Sequence, residues 1–541
     1  MTDTPSAATA ARSAAVDTGG IDPAVFKRRW IILAVLCLSL VLVVAAVSSV
    51  NVAIPSIRTQ LKPSDTQLLW IVDAYAVVFA GLLLPAGAIG DKYGRKGALQ
   101  AGLAIFAIAS TLSSFAGSPA QLLVWRALMG VGAALIMPST LSLLTSVFPP
   151  RERPKAIATW TGFAGAGGVI GTLAGGLVLT HFWWGSVFFV SVPIALVALV
   201  LVTILCPSSK EAHSRPLDPL GALASVIGFG SLLYGIIEGP EKGWGSASTI
   251  VAFAVAVVAL TMFVVWERRA RDPMLDMRFF AIPRFRAGAL GVTFVFFAMF
   301  AMFFLLAQYL QSVKGWSPLR AGVATLPFAL TMIAISPRGP RLAARFGARR
   351  LVLFGLLLLP VGLLILSFAS RTSPYLLAVL GMVVMAAGPA CAIPTLSTGI
   401  VLSLPMDKAG VGSAVNDTTR EVGGAVGIAI LGSILNAHYR SGLRSTLATL
   451  PPAAAPVIDA ARHGVGALGE LVRAAPGIPA LASLQPQLDS IYTLAKDEFV
   501  GGMQIGLRVA AAIALLVAVG VYRWYPSSGE MPGAGAPGPR D

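Results

Sequence analysis

Apolar runs of about twenty residues, broken by short polar turns, repeat along almost the whole chain. A membrane-spanning helix needs roughly 20 mainly apolar residues. That ruler predicts fourteen spans, near 30–52, 68–89, 98–116, 120–147, 156–179, 185–205, 220–237, 248–266, 287–310, 321–340, 351–369, 375–402, 412–435 and 499–522. The run that opens at Trp30 outlasts the roughly 7–15 apolar residues of a cleaved signal, so it is expected to remain as the first span. Residues 1–29 and 526–541 are expected to be disordered tails. Between the last two spans, 437–498 holds Pro451, Pro452, Pro456, Pro476 and Pro479 among amphipathic runs at 457–472 and 483–498. This predicts a small external helical hairpin, either a gate or guard at the outer mouth or simply a long tolerated loop.

Composition makes lipid the main solvent. Of 541 residues, 56% are hydrophobic and 12% charged, where soluble domains carry about 25% charged. Too little polar sequence exists to coat a soluble core of that size. The net charge of +16 would suggest nucleic acid if the basic residues shared one face, but they punctuate the apolar runs instead. Lys27, Arg28 and Arg29 precede the first span, and Lys92, Arg95 and Lys96 follow the second. Arg151, Arg153 and Lys155 follow the fourth; Arg268, Arg269, Arg271, Arg278, Arg284 and Arg286 the eighth; Arg345, Arg349 and Arg350 the tenth. Counting spans places these loops on one side, expected to be the cytoplasm, with both termini there and the chain in a cell (inner or plasma) membrane. Cys37, Cys206 and Cys391 fall in spans or at their ends, which argues against a disulfide framework. No GxxxxGK[ST] loop occurs, so no ATP engine is expected.

The segment Gly87-Ala-Ile-Gly-Asp91-Lys92-Tyr93-Gly94-Arg95-Lys96 closes the second span, and Pro340-Arg-Leu-Ala-Ala344-Arg345-Phe346-Gly347-Ala348-Arg349 closes the tenth. Basic, aromatic, Gly, any, basic recurs at one spacing, which suggests two related halves. The halves would be 30–206 and 287–525, with spans seven and eight inserted at 207–286. GAIGDKYGRK resembles the signature between the second and third helices of the major facilitator superfamily. Trp70-Ile-Val-Asp73-Ala-Tyr75 through Pro85-Ala-Gly87, Asp272-Pro-Met-Leu-Asp276, Ser317-Pro318-Leu-Arg320-Ala-Gly322 and Asn416-Asp417-Thr-Thr-Arg420-Glu421-Val-Gly423-Gly424 resemble its fourteen-helix drug:proton antiporter branch. That branch includes quaternary-ammonium efflux pumps. The resemblance implies an all-α membrane protein of the major facilitator fold and no enzyme. It implies a monomeric secondary transporter that exports small amphipathic or cationic molecules by alternating access. Protons would drive it, with no cofactor, metal or nucleic-acid partner. The rival readings are a dedicated exporter of a metabolite, lipid or antibiotic, and a receptor or scaffold of the same fold that moves nothing.

Charges at mid-membrane cost about 2.5–3.5 kcal/mol on insertion scales and so need partners or a wet cavity. The candidates are Asp73, Arg126, Asp417, Arg420, Glu421 and Arg508. Burial favours the neutral form of a carboxylate, so Asp73 could trade a proton for a cation; the alternative is a helix-end residue in outer water. Arg126 begins Arg126-Ala-Leu-Met-Gly130-Val-Gly132-Ala, similar to the fourth-helix signature of proton-coupled members. It could act as a fixed counter-charge, or simply hold carbonyls. Asp417, Arg420 and Glu421, spaced i, i+3 and i+4, share a helix face; they would hold a proton or cation, or lock the cytoplasmic end. The family's first-helix acid is replaced by Ala46 before Asn51-Val-Ala-Ile-Pro55.

For the loop signature the resemblance implies a cytoplasmic gate of Gly87, Asp91, Gly94, Arg95 and Lys96. Asp91 could face the N-terminus of span thirteen, where the helix dipole favours an anion; the bland alternative is a basic loop that only sets orientation. Span five carries Gly165, Gly167, Gly168, Gly171, Gly175 and Gly176, small enough for close helix approach. They resemble the antiporter signature, with Gly171-Thr172 in place of its Gly-Pro. Trp70, Tyr75, Phe79, Trp160, Phe163, Phe300 and Phe304 are the aromatics expected to wall a cation cavity.

Overall fold

The computed structural model describes residues 21–208, 217–405, 408–450, 454–478, 481 and 485–525. Among the described residues there is no strand, and fourteen helices are long and apolar enough to cross a membrane. The two predicted tails fall outside the described residues apart from 21–29, which open the first helix.

The first half comprises α1 (Pro23–Leu61), α2 (Asp65–Tyr93), α3 (Arg95–Ser114), α4 (Pro119–Val147), α5 (Arg153–Leu179), the single turn α6 (Ser186–Phe189) and α7 (Ser191–Leu205). Then come α8 (Pro219–Lys242) and α9 (Ala247–Arg269). The second half has α10 (Pro283–Gln308), α11 (Pro318–Val323), α12 (Leu326–Ile335), α13 (Gly339–Phe346), α14 (Ala348–Leu366), α15 (Tyr375–Val401), α16 (Ala409–Ala448), the short α17 (Ala455–His463) and α18 (Val465–Ala474), and α19 (Gln485–Trp524). Helix starts follow local chemistry. Ser64 and Gln67 form a reciprocal capping box on α2, and Asp218 caps α8 by accepting from the Gly221 N–H.

Two large apolar cores mark the halves, and a small third one of Ala166, Val169 and Ala329 joins α5 to α12. Of the two large ones, one gathers side chains between Val25 and Cys206, with Val401 added; the other is built mainly from α10 to α19. The inserted α8 lies against α2 and α16, the helices that meet between the halves. At Gly81 a methyl would stand 3.4 Å from the Val226 carbonyl, so α2 and α8 approach backbone to backbone.

One expectation is refined and another corrected. Span ten crosses as predicted, at Pro318–Phe346, but is divided into α11, α12 and α13, where Pro327, Pro337 and Pro340 each remove a backbone donor. In 437–498 only α17 and α18 form the short helical pair, broken at Gly464 with φ 119°. The run 483–498 is not part of a hairpin: from Gln485 it is the start of α19. Residues 437–448 likewise continue α16.

One end of the bundle carries the basic loops. Arg29 at the start of α1 pairs with Glu152 between α4 and α5 at 2.8 Å. Lys408 before α16 donates to the Pro273 carbonyl after α9 at 2.9 Å. This end is called the basic face, and the other the opposite face.

A charged seam between the two halves

On α16, Arg420 Nη1 lies 3.3 Å from Asp417 Oδ1, and both side chains are buried. The guanidinium sits between the rings of Trp160 on α5 (5.7 Å) and Phe296 on α10 (4.6 Å), so it touches both halves. Asn416 Nδ2 also donates to Asp417 Oδ1 at 3.3 Å. Asp417 Oδ2, Asn416 Oδ1 and Arg420 Nε have no hydrogen-bond partner among the described residues. Glu421 follows at i+4 from Asp417. It is half-buried and makes no hydrogen bond or ion pair among the described residues; its charge acts on Tyr75 of α2.

Across the seam, Arg126 on α4 is 0% exposed. Its Nε donates to the Ile71 carbonyl at 2.9 Å and Nη2 to the Val72 carbonyl at 3.2 Å. Its guanidinium lies 4.6 Å from the Tyr75 ring centroid, and the charge of Asp73 acts on it. The Tyr75 hydroxyl donates to the Val43 carbonyl at 3.0 Å. A guanidinium has only donors, so seating it on carbonyls and a ring face fixes a positive charge beside Asp73. Ala46 is buried in the first-half core. The seam's carboxylates therefore come from α2 and α16. Arg508 is exposed on α19 and is no part of the seam.

At the basic face α2 closes onto α16. Asp91 Oδ1 accepts from the Gly410 N–H at 2.9 Å and Oδ2 from the Val411 N–H at 3.1 Å. These N–H groups open α16, where backbone donors lack helical partners. Arg95 Nη2 lies 3.1 Å from Asp91 Oδ1. A methyl on Gly87 would stand 2.6 Å from the Gly410 carbonyl, so this crossing admits only glycine. Gly94, at φ 108°, makes the turn into α3. Lys96 points away from this closure, with its ammonium 2.8 Å from the Thr203 carbonyl.

The glycines of α5 divide between two neighbours. Gly167, Gly171 and Gly175 face α1 at Val44, Ala45 and Ser49; Gly165 faces Met332 of α12 and Gly176 faces Leu319 of α11. A methyl on Gly171 would lie 2.4 Å from both the Ala45 carbonyl and Ser48 Oγ, whereas one on Gly168 would meet nothing within 4 Å. Gly171→Ala is therefore expected to cost about 1–3 kcal/mol by overpacking and Gly168→Ala nothing. Thermal unfolding of the solubilised protein, with the two variants side by side, checks this.

The expected cavity aromatics divide between the seam, neighbouring helices and the outer surface. Trp70 packs against Tyr234 of α8, the rings tilted by 31° with centroids 5.4 Å apart. Tyr75 and Phe79 stack on each other inside the first core. Phe163 shares an exposed apolar stripe with Ile170 and Leu177 at seven-residue spacing, which suits lipid rather than a cavity. Phe300 and Phe304 lie against Gly424 and Gly432 of α16. Trp160 does reach the seam, and Phe296, hidden in the sequence among the many phenylalanines of α10, joins it. Also missed was a clasp at the basic face. Trp266 Nε1 donates to Asp218 at 2.8 Å, and the Leu275 N–H donates to buried Glu267 at 3.1 Å. The Asp272-Pro-Met-Leu-Asp276 stretch was its visible signal.

The Major Facilitator Superfamily model matches residues 36–428. The chain belongs to the major facilitator superfamily. It is 35% identical to the multidrug efflux pump LfrA of Mycolicibacterium smegmatis over 91% of this chain and 95% of that protein. Identity is 32% to the multidrug resistance protein Stp of Mycobacterium tuberculosis, over 88% of each. It is 30% to the methyl viologen resistance protein SmvA of Salmonella typhimurium, over 92% of this chain and 98% of that one. Among solved structures, the proton:xylose symporter XylE shares the fold with a TM-score of 0.56 at 14% identity, covering 93% of this chain and 97% of XylE. This major facilitator is thus a multi-pass membrane transporter, not an enzyme, and its partners are small molecules. Its seam lies between the two six-helix halves of that fold.

Proposed function

We propose that this transporter exports amphipathic organic cations in exchange for protons by alternating access, acting as a monomer in the cell membrane. Glu421 carries the reading: it is a carboxylate in the seam with no hydrogen bond or ion pair among the described residues, beside Arg420 and facing the ring of Tyr75, against which the buried Arg126 guanidinium lies. Such a group can hold a proton or an organic cation, but not both at full strength. Asp73 is the second candidate, and Asp417 is held by Arg420. Among the relatives, SmvA is named for resistance to methyl viologen, a dication of this class of cargo. The basic face is assigned to the cytoplasm by its lysines and arginines, with both termini there. Closure by Asp91 then makes this the inward-closed state.

Inverted vesicles with an imposed pH gradient test the proposal. The wild type should concentrate methyl viologen and tetraphenylphosphonium in a gradient-dependent way. Asp73→Asn should lower methyl viologen transport more than tetraphenylphosphonium transport, since a dication needs a second anion. Equal loss, or none, rejects a direct role for Asp73; flux indifferent to the gradient rejects proton exchange.

A further inference from the structure

We propose that Trp70, Tyr234 and Glu238 form a second cation site at the opposite face, with Lys242 as its tethered resident. The ligand class is organic ammonium or phosphonium. The inference rests on the export reading for its purpose, though not for its geometry.

Glu238 lies near the end of α8 and is only 5% exposed. Lys242 Nζ is 3.0 Å from its Oε2 and is Glu238's one ionic partner among the described residues. The same ammonium lies 5.8 Å from the Tyr234 ring centroid, and Trp70 stands behind that ring at 5.4 Å. A buried carboxylate with aromatic walls is the arrangement that attracts weakly hydrated cations. Here the chain's own ammonium fills it. Among the described residues no cluster of His, Cys, Asp or Glu could hold a metal ion, which leaves organic cations as the class that fits.

Two features make the resident displaceable. The Lys242 side chain is 38% exposed, and it ends α8 just before Gly243 at φ 91°, a turn that needs no side chain. Beyond the turn, Trp244 folds back on Gly239 and its Nε1 donates to Ser433 Oγ of α16 at 3.0 Å. The site is thereby fixed between α2 and α16, the helices that bear Asp73 and Glu421. Trp70 lies three residues from Asp73, about 4.5 Å along the helix axis. A cation leaving Asp73 toward the opposite face meets this aromatic pair next. Exchange with Lys242 keeps Glu238 neutralised throughout, so the carboxylate is never left buried and alone. When Lys242 returns, it expels the guest.

Equilibrium binding of tetraphenylphosphonium to the full-length protein in nanodiscs, without any gradient, tests the site. Lys242→Met and Lys242→Gln should each strengthen a second binding event about tenfold, the scale of one ion pair plus one cation–π contact. Adding Glu238→Gln or Tyr234→Leu to Lys242→Met should abolish that gain, while Asp73→Asn should leave it. Unchanged binding in both lysine variants overturns the proposal, as does a gain that survives Glu238→Gln. A drop in thermal stability with no change in binding assigns Glu238 and Lys242 to helix fastening alone and overturns it too. Failure of export in vesicles with this binding pattern intact would count against the proposed function and not against the site.

Discussion

Asp91→Asn is expected to open the basic face, slowing export while leaving cation binding nearly unchanged. Asp91 uses both carboxylate oxygens: one takes the Gly410 N–H and Arg95, the other the Val411 N–H. Asparagine keeps a single acceptor and turns an NH2 group toward a backbone donor. Hydrogen bonds to charged groups contribute about 1.5–3 kcal/mol each. Losing one bond and weakening the Arg95 pair should therefore shift the closed–open balance by about 2–4 kcal/mol, roughly thirty-fold to several hundred-fold. The residue touches no seam carboxylate, so binding has no reason to follow. Cys37, Cys206 and Cys391 are buried, which gives a quiet background for thiol labelling. Ser413, buried one turn beyond the closure, is the reporter position. Ser413→Cys should react with an impermeant thiol reagent from the basic side much faster when combined with Asp91→Asn. Equal labelling rates, or lost cation binding, would show that Asp91 does not hold this face shut.

Glu421→Gln should uncouple the transporter. The substitution keeps the shape and removes the charge of a seam carboxylate that makes no hydrogen bond or ion pair among the described residues. Gradient-driven accumulation should collapse toward equilibrium, because exchange of a cation for a proton is what couples cargo to the imposed pH gradient. Exchange of labelled for unlabelled cation across the membrane should persist, because that reaction needs no proton. Cation-induced proton release from the purified protein should vanish with it. Asp417→Asn is the contrasting case. It weakens the partner of a buried arginine, and breaking a buried pair costs about 3–5 kcal/mol, so its first effect should be on folding yield. If Glu421→Gln still releases protons on binding cations, the exchanging carboxylate lies elsewhere, and Asp73 is next.

The spans were legible because lipid imposes a length and polarity rule that a single chain must obey locally. The basic loops were legible for a similar reason, since orientation is set by charge near each span end. Individual contacts were harder. Glu238 is not among the membrane charges expected from sequence because the seventh predicted span ends at Ile237, one residue short. Gly171 was visible as a small residue, but nothing local said that the α1 backbone would lie against it. The aromatics were least legible, because a ring in an apolar run looks alike whether it meets lipid, a glycine or a cation.

By itself the sequence determined an all-α membrane protein of fourteen spans, the repeated loop motif, and a short set of charges too costly to bury without purpose. Tertiary structure decided which of those charges meet. It gave Asp91 to the first N–H groups of α16, Asp417 to Arg420, Arg126 to the carbonyls of α2, and left Glu421 with no hydrogen bond or ion pair among the described residues. The division has a physical cause. Burial in lipid is a property of one helix and is written in its composition, whereas pairing depends on the rotation and depth of two helices far apart in sequence. Those follow from the sum of many weak packing contacts, which no short stretch of sequence contains.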